Sequence, residues 1–592
     1  MDCDRTLEEL TTLFASLAEG AQWEQIADEE FRLKLPQGTY LRFNRHKRTI
    51  NVGGNPRLIK RTVAEIKGIL RNSDASPAES AGENMAYSPV NPAVGVFVKN
   101  ESTQSEYRPD VDSEVVIGIV ATVGTNTEEV FRLIADRLKL FKYNAEEIKI
   151  SRDILEKFVA SEEVSSSERL NRLMDEGNRL RKETEDYGIL AKLATGLIYK
   201  KRFEFSGMKE PIRPFRRKCF IVSSLKHPQE VQALRKVYSN GFFLVGVHAA
   251  KDRRIEYLKN KGMSKEDAEA LVERDEHETD KFGQQTRDTF HLSDFFINYD
   301  GDADKYNNEL IRVVNLIFGH PFVTPTFDEF AMFMAFSASL RSADLSRQVG
   351  AVVTKDQNIV STGANDVPRA GGGLYWAERS KDGKSIVDAD NGRDYKRGFD
   401  ANVKEKQRII EDIVSKFDEP TQQRARAIIE ESKLRDITEY GRVTHAEMEA
   451  LLACARNAVP TVGTDLYCTT FPCHNCAKHI IAAGVKRVVY VEPYPKSKAL
   501  EFHSDSITFE RPAQDDRRVL FEPFVGVGPR SFFNLFSTSL GSGFKIDRKD
   551  DHGACVNWSE AEARVRMQMI PSSYMDREAA ITEEALKKME GL

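Results

Sequence analysis

The sequence predicts an α/β protein: a small N-terminal α/β unit, then a parallel-sheet domain, then an α/β/α sandwich. Three observations carry this. The chain has 592 residues, too many for one compact core. Apolar strand-like runs alternate with amphipathic helical stretches over most of its length. A Ser-, Asn-, Pro- and Ala-rich segment, "SDASPAESAGENMAYSPVNPA", reads as a linker over 73–110 and splits off the first unit. About 40% of residues are apolar and 30% charged, and 86 basic residues against 92 acidic ones leave a net charge of −6, so the whole molecule is not a general polyanion binder. No apolar run reaches the length of about 18 residues that a membrane span needs, so no membrane partner is expected. The opening "MDCDRTLEEL" is acidic and polar, unlike a signal peptide. Seven unevenly spread cysteines point to a reducing cytoplasm rather than a disulfide scaffold.

In residues 1–72, "TLEELTTLFASLAEG" and "PRLIKRTVAEIKGIL" have helical periodicity. Between them "EFRLKLP", "GTYLRFN" and "TINVGG" alternate as short strands. From Arg42 to Arg71 there are nine Lys/Arg and one acid, Glu65: a basic face for RNA or another polyanion, or an ordinary solvated surface.

Residues 111–322 open on "EVVIGIVATVGTNTEEVFRLIADRLKLF", an apolar strand, a Gly-containing turn and an amphipathic helix. That is the layout of a phosphate-binding loop, with Gly118, Gly124, Thr125 and Asn126 as its candidate residues. The loop is degenerate. Five residues separate the two glycines, and no lysine precedes a Ser/Thr, so a βα turn without a ligand is the competing reading. "KCFIVSSL" and "GFFLVGV" read as buried strands. "DRRIEYLKNKGMSKEDAEALVERDE" reads as charged helices whose Arg253, Arg254 and Arg274 are spaced like a phosphate-gripping lid, or lie in surface ion pairs.

Residues 323–545 begin with a helix, "FAMFMAFSASLRSADLSRQ", and two strands, "VGAVVTKDQNIVSTGA". A charged, mostly helical insertion occupies about 377–437. Then "THAEMEALLACARNA", "DLYCTT", "CHNCAKHIIAAG" and "KRVVYV" alternate helix, strand, helix, strand, and "FEPFVGVGPRSFFNLFS" returns onto this core. The tail, 546–592, reads as a peripheral helix or a loose end.

"THAE" and "PCHNC" together make H-x-E…P-C-x-x-C, the pattern of zinc nucleobase deaminases. Cys473 and Cys476, at i and i+3 of a helix start, present both sulfurs on one face. The helix dipole and a metal both favour their thiolates. His445, at the start of a second helix, supplies the third ligand of a Zn2+ site whose fourth place takes water. Glu447 stands two residues on, fit to move the water proton. Each element has an ordinary reading. Thr444 and Glu447 match a helix capping box. The cysteines alone suit a redox pair, or a structural zinc site completed by His474 or His479. Only the combination favours catalysis. Cys454 and Cys468 read as core residues. Arg347, Lys496 and Lys498 are the basic candidates for substrate phosphates, or else surface charges.

With these motifs the sequence resembles the deoxycytidylate deaminase family. "FSASLRSADLSRQVGAVVTKDQNIVSTGANDVP" is similar to the family's first helix, strand pair and G-x-N-x-x-P loop, whose Asn, here Asn365, contacts the sugar. "SSLKHPQEVQALR", "FFLVGVHAAKDRR", "RDEHE" and "FGQQTRDTFHLSDFFI" resemble the bacterial anti-phage dCTP deaminases, and the likeness covers about residues 113–545. It implies a P-loop kinase-like parallel-sheet domain followed by a cytidine-deaminase-like sandwich. It also implies deamination of free dCTP and dCMP during phage infection, a homo-oligomer, and a regulatory kinase-like half; the missing lysine of this loop departs from the kinase pattern and favours a nucleotide sensor over phosphoryl transfer. The unit at 1–72 lies outside the likeness and has an RNA-contact, protein-contact or assembly role. The competing readings are a housekeeping dCMP deaminase, a polynucleotide cytidine deaminase, and a nucleotide-binding regulator with a dead site.

Overall fold

A computed structural model describes residues 24–27, 30–34, 39–44, 49–54 and 109–590, the last span without 160–164, 210–211, 278–284, 300–302, 438, 495–496 and 511–516. Both helices expected in 1–72, nearly all of the linker and most of the basic run lie outside the described residues. The chain forms two compact units, 1–103 and 104–592.

In the first unit the expected strands are present as β2 (Glu30–Lys34), β3 (Thr39–Asn44) and β4 (Thr49–Gly54), preceded by a further strand, β1 (Glu24–Ala27). They form an antiparallel meander in sequence order. Alternation puts Phe31 opposite Phe43 and Leu33 opposite Leu41, and these four side chains with Ile50 make the buried face.

The second unit holds two six-stranded sheets. The first has the order β18-β9-β8-β5-β7-β6, where β5 is Val115–Ala121, β6 Asn144–Lys149, β7 Lys218–Leu225, β8 Phe242–His248, β9 Phe295–Asn298 and β18 Gly526–Val527. Strands β5 to β9 are parallel. Every residue of β5 is buried, the continuous apolar run of a parallel strand covered on both faces. Ile117 and Ile119 join one core with Ile134 and Val314, while Val116 and Val120 join the other with Ile198 and Leu234. After β5 the chain steps out to β6, returns to β7, then crosses to β8 and β9. The carboxyl end of β5 is therefore a topological switch point.

Gly118 lies within β5 rather than in a loop. A Cβ there would stand 2.7 Å from Phe242 and 2.8 Å from Leu225. Its smallness serves strand packing, which corrects its assignment to a phosphate loop.

The second sheet has the order β11-β10-β14-β15-β17-β16, with β10 Gly350–Lys355, β11 Asn358–Ala364, β14 Asp465–Thr470, β15 Arg487–Glu492, β16 Ile507–Thr508 and β17 Val519–Pro523. The β10–β11 hairpin turns at Asp356 and Gln357, whose φ values of 48° and 57° fit a two-residue primed turn. Helix Phe327–Ser339 covers one face through Met332 and Ala335. Helices Ala446–Arg456 and His474–Ala482 cover the other through Ala450 and Ile480. This is the expected α/β/α sandwich.

Three expectations change. The helix expected to run on toward Gln348 ends at Ser339. Beyond it the Asp344 side chain accepts the N–H groups of Ser346 and Arg347 at 2.8 and 3.1 Å, a local turn that competes with helix. The insertion begins with a short hairpin, β12 (Glu378–Arg379) and β13 (Ile386–Val387), and only then becomes helical over Ala401–Val414 and Glu419–Glu431. The return after Phe521 does not stay on the second sheet, because β18 pairs with β9 of the first.

The C-terminal segment is part of the first core rather than a peripheral tail. Val565 and Met567 are buried there, and helix Pro571–Glu590 presents Tyr574, Ile581 and Ala585 to the layer that holds Ile198. Beneath it Arg202 bridges two carboxylates, Glu114 at 2.7 Å and Glu578 at 2.9 Å, all three fully buried. Burial pushes the Glu578 carboxyl up to about 7, with Arg202 opposing the shift.

One cation facing two buried carboxylates favours a retained proton. Folded Glu578 holds that proton to about pH 7, against a usual value of 4.5. The folded state thus binds more protons between these values, and stability falls as pH rises through that window, by on the order of 3 kcal/mol. Denaturant melts at pH 5 and pH 7.5 should show Glu578→Gln losing this slope. Arg202→Ala, which strands two buried acids, should cost about 3–5 kcal/mol.

Candidate active site

The site is built where two helices begin. His445 occupies the N-cap of Ala446–Arg456, with extended φ and ψ of −67° and 154°. Cys473 occupies the N-cap of His474–Ala482, where its sulfur accepts the N–H of Cys476 at 3.5 Å. Both helices pack on the same face of the second sheet. The capping-box reading fails: His445, not Thr444, is the N-cap, and it makes no side-chain capping bond. Thr444 instead exchanges backbone hydrogen bonds with Asp366, at 3.0 and 3.3 Å. That short ladder ties the H-x-E segment to the loop after β11. A second constraint is Gly363 on β11, where a Cβ would stand 2.1 Å from the Ala446 carbonyl oxygen. Only glycine lets the helix start come this close to the sheet.

The Nδ1 of His445 lies 3.3 Å from the sulfur of Cys473 and 3.3 Å from that of Cys476. All three ligand atoms lie within 4.8 Å of one another. A tetrahedral zinc with bonds of about 2.0–2.3 Å needs ligand atoms roughly 3.6 Å apart, so the three donors fit the ion in kind and in spacing. Neither His474 nor His479 belongs to the cluster. His474 faces Glu439 at 3.9 Å, and His479 Nδ1 is 2.6 Å from the Asn475 carbonyl on its own helix. Cys454 and Cys468 are core residues, as expected.

The electrostatics suit a cation. The hydrogen bond with Cys476, helped by His445, pulls the Cys473 thiol down to about 4. The hydrogen bond with Cys473 pushes His445 up to about 9. The cluster thus gathers a thiolate and the protons that a divalent ion would displace. Glu447 is buried beside it, and burial raises its carboxyl above the usual range.

His445, Glu447 and Cys473 share a cavity of about 290 Å³ with Asn365 and Arg347. The buried Asn365 amide is committed to the chain. Its oxygen accepts the N–H of Val349 at 2.7 Å, and its nitrogen donates to the Arg347 carbonyl at 2.8 Å. It therefore holds the segment that carries Arg347 into the cavity. Arg347 itself is half exposed, 3.6 Å from Glu492, with its guanidinium 5.5 Å from the centre of the Tyr494 ring. Lys498 does not line the cavity; it pairs with Glu501 at 3.2 Å and lies over Phe502. Lys496 lies outside the described residues.

The insertion and the segment after it bring residues that sequence reasoning missed: Asp394, Asp400 and Asn402 from the insertion, and Arg442 beyond it, also line the cavity. Arg442 donates to Asp394 at 2.6 Å and to the Gly392 carbonyl at 3.0 Å. Its place three residues before His445 was the one available signal. The others come from contacts across tens of residues.

A second cavity, about 540 Å³, lies at the carboxyl ends of β5, β6 and β7. Of the four candidate loop residues, Gly124 and Thr125 line it. Asn126 is not in its wall and caps the next helix, accepting the Glu129 N–H at 3.3 Å. Arg253, Arg254 and Arg274 are not part of its wall either. Arg274 instead bonds Asn171 at 2.6 Å and pairs with Asp175.

Comparison with known proteins bears on the first site. A family model described as the cytidine and deoxycytidylate deaminase zinc-binding region matches residues 325–492. ComE operon protein 2 of Bacillus subtilis (strain 168) is 42% identical over 78 residues, 13% of this chain, and the match spans less than half (41%) of that relative. The dCMP deaminase of cyanophage S-TIM5 in apo form aligns in structure over 34% of this chain and 100% of that one, at 20% identity and a TM-score of 0.19. Deoxycytidylate deaminase of Enterobacteria phage T2 is 33% identical over 169 residues, 28% of this chain and 79% of the phage protein. The match to that phage protein, over most of its length, shows that this chain belongs to the deoxycytidylate deaminase family.

Proposed function

We propose that the chain is a zinc-dependent deaminase of free deoxycytidine nucleotides, converting dCMP and dCTP to dUMP and dUTP, and that the loss of dCTP restricts phage replication. The observation that carries the reaction is the His445, Cys473 and Cys476 cluster with buried Glu447 in the same cavity. His445, Cys473 and Cys476 hold the zinc. When bound, zinc supplies a water acidified enough to act as a nucleophile near neutral pH. Glu447 takes the water proton, delivers it to the ring nitrogen N3 of the cytosine, and then serves the departing amine, so that water and the amino nucleotide become uracil nucleotide and ammonia. Burial of Glu447 keeps bulk water from competing for that proton. Arg347 meets the substrate phosphates, and Asn365 holds the Arg347 segment in place for the sugar and phosphate.

The strand order of the first sheet, with its first strand central, supports reading 111–322 as a P-loop kinase-like domain whose cavity takes a regulatory nucleotide. The deaminase domain is read as 323–545, with β18 and Leu535 near its end packing on the first core, and the packing of 546–590 on that core supports counting the tail with the kinase-like half. The defence role, the homo-oligomer and an RNA or protein regulator on 1–72 follow the family resemblance and the basic run of that unit.

Purified chain should hold about one zinc, measured by elemental analysis, and Cys473→Ser should lose it. Glu447→Gln should keep the zinc and lower kcat on dCMP and dCTP by about 10²–10⁴-fold. Activity on single-stranded polynucleotide but not on free nucleotides would overturn the substrate class. In infected cells, dCTP should fall with wild type and not with Glu447→Gln; a fall without infection would count against a defence trigger. Asn365→Ala leaves the Val349 N–H and the Arg347 carbonyl unpaired, which should cost about 1–3 kcal/mol of stability in denaturant melts and, by loosening the Arg347 segment, raise KM in steady-state kinetics.

A further inference from the structure

The loop after β5 has the layout of a phosphate seat but no lysine of its own, and in the folded chain an anion from the protein already meets it. Asp275, on helix Lys265–His277, has a side chain with 0% exposure. Its Oδ2 accepts the N–H of Val123 in the loop at 2.9 Å. Its Oδ1 accepts from Lys226 Nζ at 3.0 Å and from the Thr286 hydroxyl at 3.2 Å. Lys226, the residue after β7, also donates to the Ala121 carbonyl at 2.8 Å and lines the larger cavity. The cation that the loop lacks thus comes from the end of the adjacent strand.

We propose that this cavity binds a nucleoside phosphate whose phosphate groups take Lys226 and the Val123 N–H in place of Asp275, releasing helix Lys265–His277. This deepens the regulatory-nucleotide reading above. A buried carboxylate and a phosphate oxygen make the same demand, a backbone N–H and a cation. The single Val123 N–H cannot serve both, and two of the three ammonium protons of Lys226 are already taken by Ala121 and Asp275. Beyond the loop, Leu155, Leu173, Met174 and Leu190 give the cavity an apolar wall for a base. The release has a route. Met174 and Leu258 line the cavity and also form the buried bed on which Ala268, Leu271 and Val272 of the helix rest. A ligand that shifts this wall and displaces Asp275 loosens the helix at both attachments.

Calorimetric titration of tripolyphosphate and of ATP into the full zinc-loaded chain tests this. Neither probe is a cytosine nucleotide and the readout is binding, so a failed deamination assay leaves the result standing. Wild type should bind ATP, Lys226→Met should bind at least about ten-fold more weakly, and Asp275→Asn about ten-fold more tightly, the scale of one charge-assisted hydrogen bond. Hydrogen exchange in residues 265–277 of wild type should speed up with ATP. Absence of binding of both probes to wild type and Asp275→Asn overturns the proposal. So does equal affinity in all three proteins, or unchanged or slower exchange in the helix. If Asp275→Asn does not fold, Lys226→Met and the exchange measurement decide.

Discussion

The close approach of one helix start to one strand is the constraint on which the active site depends. His445 can meet two cysteines from another helix only because Gly363 lets the Ala446 carbonyl press against β11. The Thr444–Asp366 ladder then fixes the rotation of the approaching chain. The result is two N-caps converging on a point the size of an ion, each with its helix dipole favouring negative ligands. Thr444 and Glu447 spell a capping box, yet the side chains are not used for capping. The backbone ladder sets the register, so Glu447 is left to the cavity.

The two sheets of the second unit are joined by buried carboxylates as well as by apolar packing. Glu329, on the helix that covers the second sheet, accepts from Arg312 at 2.7 Å and from the Val527 N–H of β18, on the edge of the first sheet, at 2.7 Å. Asp294, just before β9, accepts from Arg235 at 2.9 Å and from the Ser531 hydroxyl at 2.6 Å. Such groups are satisfied only if both halves hold their relative position, because a missing donor leaves a charge stranded in a dry site. The crossing of β18 and the burial of Pro571–Glu590 mean that the chain leaves the first sheet, builds the second, and returns to finish the first.

Much of the architecture was legible in the sequence because it rests on local pattern. Apolar runs without alternation marked β5, β7 and β8, and alternation marked β2 to β4. The pair at Asp356 and Gln357 formed the turn its flanks required. Where local signals conflicted with distant contacts, the reading went astray. Gly118 sat next to a turn-like sequence but answers to Phe242 and Leu225 across the sheet. The charged C-terminal stretch hid an apolar stripe of Tyr574, Ile581 and Ala585 that has meaning only against the helix it meets. Lys498 lies near the motif in sequence and outside the cavity in space.

By itself the sequence singled out the candidate donors, His445, Cys473 and Cys476, and the acid beside them, because residue type and short spacing specify which atoms a helix start can offer. Only the tertiary structure decided that neither His474 nor His479 joins them, since the direction of a side chain on a helix matters only relative to the second helix. It alone set Asn365 as a clamp on residues 347–349, drew Asp394 from the insertion and Arg442 from the segment after it into the same cavity, and gave the β5 loop a lysine and a carboxylate from two other elements. Those pairings join residues far apart in the chain, and their energy comes from burial, which no local pattern records.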